Sequence, residues 1–362
     1  MTRLLVGNLD CEVEWANGPA LPAAVTARLA LLATTLRAFA RDDDDRLWLP
    51  APVPPTAVPQ DGAPRPRLEH GPLARGTATV LAWGATARLD ASASSAADAP
   101  LVDPATVGAD WQAALAHAPR TSSVIARAAN DRRFALALAV ERGVALPGAR
   151  VIESVTELRA HLAAGGADAS PDGSWVAKAV WTAAGRDRVR RRGAVVDDAT
   201  ATRVARLLEV HGALVFEPWL TRRLDVGQGG VVLTADHAVL LPVHRGLCDD
   251  GGVVRGLVID DVADLGAADR ATLTDTVTAV AALLGKLGYR GPFVVDGFVH
   301  DRGLHPLGEI NARLTFGLVA RAWAERLGTS LALGLDGVLP ADGTALVHAP
   351  DGSAAAWWAP RR

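Results

Sequence analysis

A chain of 362 residues is long enough for roughly two to three domains of about 150 residues, and 49% apolar residues, 21% charged residues and 35 Gly make an ordinary globular composition, not a disordered or fibrous one. A formal net charge of -3 argues against a nucleic-acid protein, and two cysteines, Cys11 and Cys248, build no disulfide framework and suit a reducing cytoplasm. The opening MTRLLVGNLDCEVEW reaches acids before any run of signal-peptide length, and no stretch approaches the roughly 20 apolar residues of a membrane span.

Arg3 to Gly7 reads as a short apolar strand, and Leu21 to Ala40 as a helix with Pro22 near its start, where a missing N–H costs nothing. Asp42 to Asp45 reads as a solvated loop, since four adjacent acids do not converge on one ion without a special turn. Pro50 to Pro72 is an extended connection, Thr79 to Trp83 the next strand, Asp103 to His117 a helix and Ser123 to Ala126 another short strand. Strands alternating with helices imply a small α/β domain over the first 120 residues, without the Gly-x-Gly-x-x-Gly of a dinucleotide site.

Asn130 reads as the cap of a helix from Asp131 to Arg142 that Gly143 ends, and Ser154 with Glu157 as a capping box for a second helix that Gly165 stops. Ser174 to Val180 is a strand with Lys178 in its middle; snorkelling from an edge strand accounts for the lysine unless a ligand does. The cationic TAAGRDRVRRRG that follows is read as a mobile turn, either a solvated basic loop or a flap over an anion. A helix from Ala199 to His211 ends at Gly212, and a strand from Ala213 to Phe216 leads into Glu217-Pro218-Trp219-Leu220. Alternating strands cover Val231 to Val243 and Val253 to Ile259, and a long helix runs from Ala267 to Leu287. Gly227, Gly229 and Gly230 read as bend or bulge glycines, because no helix N-terminus follows to make a phosphate cradle.

Residues 292 to 313, PFVVDGFVHDRGLHPLGEINAR, read as a β-hairpin about the turn His300 to Gly303. If Val299 pairs with Leu304, Asp296 faces Leu307, and the two-residue period puts Asp296, Glu309, Asn311 and Arg313 on one face. Two carboxylates and an amide suit Mg²⁺, and the arginine suits phosphate, but from the hairpin alone a solvated sheet face is an even alternative. His244 and Cys248 suggest a thiol nucleophile without any orienting third residue, so a structural thiol is the plainer reading. His300 and His305 flank the turn, where surface exposure is the plainer reading, although His305 shares the parity of Glu309. An amphipathic helix, Gly317 to Leu327, follows, and beyond Pro340 comes a tail rich in Gly, Ala and Trp.

Five ordered segments, NDRRFALALAVERGVALPG, WVAKAVWTAAGR, FEPWL, VVDGFV and GEINAR, resemble the ATP-grasp superfamily over about residues 120 to 330. The resemblance implies an α/β fold in which two α+β subdomains clasp ATP behind a small Rossmann-like domain. The expected divisions are residues 1–120 for that first domain, 121–218 for the lid, 219–340 for the large subdomain with the metal site and 341–362 for the tail. It implies Lys178 and Arg132, the latter where the family usually has Lys, on the nucleotide phosphates. Glu217, Trp219 and Leu220 form the hinge that holds the adenine edge, with Asp225 on the ribose. Asp296, Glu309 and Asn311 become metal ligands, and Arg313 meets phosphate or an acyl phosphate. The usual phosphate flap is glycine-rich, whereas Gly185 here is followed by Arg186 and Arg188, which would clamp phosphate by side chains. Arg245 or Arg255 is expected to supply a further cation.

The implied chemistry uses ATP and Mg²⁺, or Mn²⁺ in its place, to activate a small-molecule carboxylate as an acyl phosphate. An amine then attacks, and ADP and phosphate leave. A hydroxyl kinase on the same fold and a nucleotide-binding module without turnover are the alternatives. Neither nucleic acid nor membrane is an expected partner, and a symmetric homodimer is the default assembly.

Overall fold

The structure is a computed structural model that describes residues 2–73, 79–92, 107–118, 120–182, 187–260, 262–335 and 338–361. The chain builds three sheets. The first is parallel, in the order β3-β2-β1-β4, from β1 (Arg3–Val6), β2 (Arg46–Leu49), β3 (Arg67–His70) and β4 (Thr79–Ala82). The apolar run of β1 suits a central strand covered on both faces. Two of these strands depart from the sequence reading: β2 follows the acidic run directly, and β3 lies inside the stretch expected to be extended connection. Arg67-Leu-Glu-His alternates too weakly to announce a strand. The acidic run is also only partly solvated. Asp45 is buried, accepting hydrogen bonds from the amides of Arg3 (2.6 Å) and Arg41 (2.9 Å), and so fastens β1 to the start of β2.

The expected helix from Leu21 divides into an α-helix, Ala23–Ala33, and a 3₁₀ turn, Thr34–Phe39, where the Thr34 and Thr35 hydroxyls bond carbonyls three residues back. Of the helix expected from Asp103, Trp111–His117 is helical, and residues 103–106 lie outside the described residues. Ser123 to Ala126 is not a strand; Ser122 caps a helix over Ser123–Ala129. Asn130 does not cap the next helix, Arg132–Glu141, because Asp131 does so through the amide of Arg133. The Asn130 side chain is instead spent on Ala126 and Ala312, joining this helix pair to the end of the hairpin.

The second sheet, which falls within the segment expected to form the lid and is called the lid sheet below, is β5-β8-β6-β7, all antiparallel: β5 (Arg150–Ile152), β6 (Ser174–Ala179), β7 (Arg188–Arg192) and β8 (Leu214–Pro218). Helices Val155–Ala163 and Asp198–His211 cover it, the first capped by Ser154 and the second closed by Gly212 in the left-handed conformation. The arginine-rich segment is therefore not a free turn from residue 188 onward. It pairs with β6 from Arg188 opposite Lys178 to Arg192 opposite Ser174. Only Val189 of β7 is buried, so its alternation was hidden among arginines.

The third sheet has nine strands in the order β14-β13-β9-β11-β12-β15-β17-β16, with β10 paired to β9. They are β9 (Arg222–Val232), β10 (Ala238–Leu240), β11 (His244–Cys248), β12 (Val254–Ile259), β13 (Gly291–His300), β14 (Gly303–Asn311), β15 (Leu331–Gly334), β16 (Thr344–His348) and β17 (Ala354–Pro360). Gly227, Gly229 and Gly230 are neither bend nor bulge. They lie inside β9, where added side chains would meet His244, Phe293 and Val239 at 2.6 Å or less. The segment read as a tail contributes β16 and β17, and its tryptophans belong to sheet packing. Helix Ala267–Lys286 packs under β9, β13 and β14, and helix Phe316–Leu327 packs under the other half against the first domain.

Candidate active site between the lid and the large sheet

The hairpin β13–β14 pairs Val299 with Leu304 as expected, but Asp296 faces Glu309 and not Leu307. From Phe298 opposite His305 to Asp296 opposite Glu309, two steps on β13 span four on β14. Pro306, which lacks an amide for the ladder, lies inside this bulge. The shift is even, so facing is preserved while the two carboxylates are brought directly opposite each other. Burial, and then Glu309, push the Asp296 carboxyl up to about 7, against the pull of Arg313 and the Asn311 amide. A pair of anions that resist joint ionisation is a site whose charge a cation would relieve.

Among the described residues no group of three His, Cys, Asp or Glu could hold a metal ion, and the expected ligands Asp296, Glu309 and Asn311 offer two carboxylates and an amide. Hard oxygens in small number fit Mg²⁺, which keeps water and phosphate in the rest of its shell. Asn311 donates to Asp296 (2.7 Å) and accepts from Arg313 (2.8 Å), so it must exchange a partner to present its oxygen to a cation.

Every cation expected at the phosphates and placed near this face is held by an acid or amide of the same site. Lys178 stands on β6, an interior strand of the lid, and donates to Glu217 on β8. It does not snorkel from an edge. Burial opposes the charge on Glu217, but Lys178 foremost, with Arg222, holds its carboxyl below the ordinary value. Arg132, 9% exposed, donates to the carbonyls of Ala179 (2.7 Å) and Thr182 (2.9 Å) and to Glu309 (2.7 Å), bridging lid and large sheet. Asp225 accepts from Arg222 at 2.8 Å. Arg313, also 9% exposed, forms an ion pair at 2.7 Å with Glu12, which is 4% exposed.

The remaining expected residues fall unevenly. Trp219 spends its amide on Ser174 and its carbonyl on the Ser170 hydroxyl, each at 2.8 Å. Its ring carries the Arg190 guanidinium at 4.1 Å and Arg222 at 5.3 Å. The Leu220 side chain packs with Leu146 and Phe298 in an apolar cluster beside the acids. Arg188 and Arg190 donate to the carbonyls of Gly251 and Asp250, tying β7 to the β11–β12 turn. Arg186 lies outside the described residues. Neither Arg245 nor Arg255 joins the cluster. Arg245 pairs in register with Val226 and Val258, on the sheet face opposite Asp296, and reaches Asp264 at 3.5 Å. Arg255 turns to Asp249 at 2.8 Å on an exposed hairpin end.

Two residues of the cleft, Glu12 and Phe298, were missed in the sequence, and a third, His305, was read as more plainly a surface residue. Glu12 follows the carboxyl end of β1, the side of a parallel sheet where ligand-facing residues gather, and that position was the available signal. Phe298 shares the parity of Asp296. His305 is buried at 3% exposure and not at the surface, with Nδ1 bonded to the Val144 carbonyl at 3.1 Å. The thiol reading finds no support: burial and Asp225 push Cys248 up to about 12, so it stays protonated.

His244, across β9 from the hairpin, gives a pH prediction. Burial, with Arg321 adding, lowers its imidazole to about 4 from 6.5. The unfolded chain takes up this proton first as pH falls, so the contribution is intact above pH 6.5 and is lost between 6.5 and 4. It amounts to about 3 kcal/mol. His244→Gln should flatten the stability profile in that interval, measured by denaturant unfolding at successive pH values; an unchanged slope would contradict the assignment.

No protein-family model matches the sequence, and no curated protein matches it. Solved structures do match. N5-carboxyaminoimidazole synthetase from Staphylococcus aureus, complexed with ADP, is 9% identical and aligns over 100% of this chain and 93% of its own, with a TM-score of 0.56. Biotin carboxylase from Campylobacter jejuni, in a beta-gamma-ATP complex, is 10% identical over 99% and 87%, also at 0.56. Phosphoribosylamine–glycine ligase from Thermotoga maritima is 13% identical over 100% and 90%, at 0.53. With the lid sheet set against a large sheet that carries paired acids, behind a parallel α/β domain, the chain has the ATP-grasp fold.

Proposed function

We propose that the chain is an ATP-dependent ligase that activates a carboxylate as an acyl phosphate for attack by an amine, forming an amide and releasing ADP and phosphate. The observation that carries this reading is that two cations expected at the phosphates are held by neighbouring acids, Lys178 by Glu217 on the adjacent strand of the second sheet and Arg132 by Glu309 on the large sheet. A metal-bound polyphosphate would take up these cations by displacing their acids, leaving Glu309 and Asp296 for the metal. The ADP and ATP complexes of two of these neighbours lend support from the same fold.

In such a reaction the protein supplies position and charge. Asp296, Glu309 and Asn311 would hold Mg²⁺, which supplies neutralisation of charge on the phosphate oxygens when bound. Lys178 and Arg132, released from their acids, would take the phosphates, and the apolar cluster of Leu146, Leu220 and Phe298 would receive the base. Arg313, between Glu12 and Asn311, faces a cavity of about 60 Å³ that Trp83, Thr121 and Arg290 also line, and we assign the carboxylate to this side.

The test is ADP release over paired carboxylates and amines with hydroxylamine present. An acyl phosphate is captured as a hydroxamate, whereas a stable phosphorylated product would identify a kinase. Lys178→Met should weaken ADP binding by about ten- to a hundredfold, the worth of one or two charge-assisted hydrogen bonds. Calorimetry reads this directly, and wild-type affinity in the variant would remove Lys178 from the site.

A further inference from the structure

His305 belongs to the cleft, and the arrangement around it fixes what its ring can recognise. Nδ1 lies 3.1 Å from the carbonyl oxygen of Val144. A carbonyl only accepts, so Nδ1 carries the hydrogen and Nε2 is left with a bare lone pair. Burial first, then Lys178 and His300, oppose a positive charge on the ring, outweighing Glu217 and the Val144 bond. Nε2 is fully enclosed and has no hydrogen-bond partner in the protein. A buried acceptor in this condition carries a desolvation cost that a ligand can remove.

The space beside it is small and mostly apolar. His305, Arg132, Glu217, Leu146, Leu307 and Gly308 line a narrow cavity of about 10 Å³, room for no more than about one water molecule. A side chain at Gly308 would stand 3.8 Å from Nε2 and fill this approach. The Phe298 ring meets the imidazole at 5.2 Å between centroids, and Leu146 and Leu220 pack on Phe298. The slot is thus apolar, lies beside the Lys178–Glu217 pair, and ends on one acceptor nitrogen. A base would enter as lid and large sheet part.

We propose that His305 Nε2 accepts a hydrogen bond from the 6-amino group of adenine and so makes this site select 6-aminopurine over 6-oxopurine nucleotides. The inference rests on the nucleotide reading above. A 6-oxo group would set lone pair against lone pair. Moving the ring hydrogen to Nε2 would answer it only by breaking the bond to Val144. Either way one buried group is left unsatisfied, a difference of about ten- to a hundredfold in affinity.

The experiment compares Mg·ADP with the hypoxanthine analogue Mg·IDP on the full chain by calorimetry, in wild type and in His305→Phe, which keeps a flat ring without the acceptor. Wild type should favour ADP by about ten- to a hundredfold, and His305→Phe should bring the two within about threefold, mainly by losing ADP affinity. Ring-nitrogen NMR of labelled wild type does not depend on the variant folding: the Nε2 signal should move on adding ADP and stay on adding IDP. Retention of the wild-type preference by His305→Phe, or an Nε2 signal indifferent to ADP, overturns the role of His305 while leaving the nucleotide site standing. Wild type that binds neither nucleotide overturns the nucleotide reading itself and this inference with it.

Discussion

Replacing Glu309 by Gln is expected to leave the fold in place and to lower ATP turnover about a thousandfold, the scale on which loss of one electrostatic contributor acts at a reacting centre. Glu309 holds two roles: it accepts from Arg132 and it faces Asp296 across the hairpin. The amide oxygen of Gln keeps the first and drops the charge needed for the second. Glu309→Ala removes both and should also cost stability, because Arg132 is then buried with only the Ala179 and Thr182 carbonyls. Thermal unfolding with and without Mg·ADP separates the two effects without requiring the substrates to be known. Glu309→Gln should keep the melting temperature of the free protein and lose most of the rise given by Mg·ADP. A full rise in Glu309→Gln would remove Glu309 from the metal site.

The second large effect is expected at Glu12. Its carboxylate and the Arg313 guanidinium are both buried and stand 2.7 Å apart. Cys11 Sγ donates to the other Glu12 oxygen at 3.4 Å, and the Arg313 guanidinium lies 5.7 Å from the centre of the Trp83 ring. Removing one member of a buried ion pair strands the other, at a cost of about 3–5 kcal/mol. Glu12→Ala should show that loss in denaturant unfolding, and Glu12→Ala combined with Arg313→Met should recover a large part of it, since the cost lies in the unpaired charge and not in the missing contact. Additive losses in the double variant would mean that the two side chains do not act as a pair. Because Arg313 also donates to Asn311, a slackened guanidinium should disturb the metal ligands as well.

How far the chain could be read from its sequence follows from where periodicity survives. The hairpin face was legible because alternation is indifferent to an even shift: the bulge near Pro306 moved the partner of Asp296 from Leu307 to Glu309 without turning any side chain over. Lys178 was conspicuous because a charged residue inside an apolar strand is rare, but its placement on an interior strand depended on β7, whose arginines concealed it. β3 was invisible for the same reason, its partners being supplied by the rest of the sheet and not by its own apolar residues. Arg245 and Arg255 were chosen as cations on the strands between hinge and hairpin, and strand register sent one to the opposite face while the other lies at an exposed hairpin end. Glu12 and His305 owe their roles to contacts more than 150 residues distant, with Arg313 and Val144 respectively, which no local pattern encodes.

The strands formed by residues 344–360 have a consequence for how the chain is made. Helix Ala23–Ala33 lays part of its surface on β16 and β17, Arg28 donates to the Leu335 carbonyl, and Trp323 donates to the Thr35 carbonyl. One core cluster joins Leu32, Ala33 and Leu36 to Trp323, Leu346, Val347 and Ala356. During translation the first domain leaves the ribosome early, yet its apolar surface waits about three hundred residues for its cover, while the lid can complete its own core in between. That surface therefore stays uncovered in the nascent chain from the synthesis of residues 23–39 until that of residues 344–360, and slowing synthesis between the two lengthens the exposure.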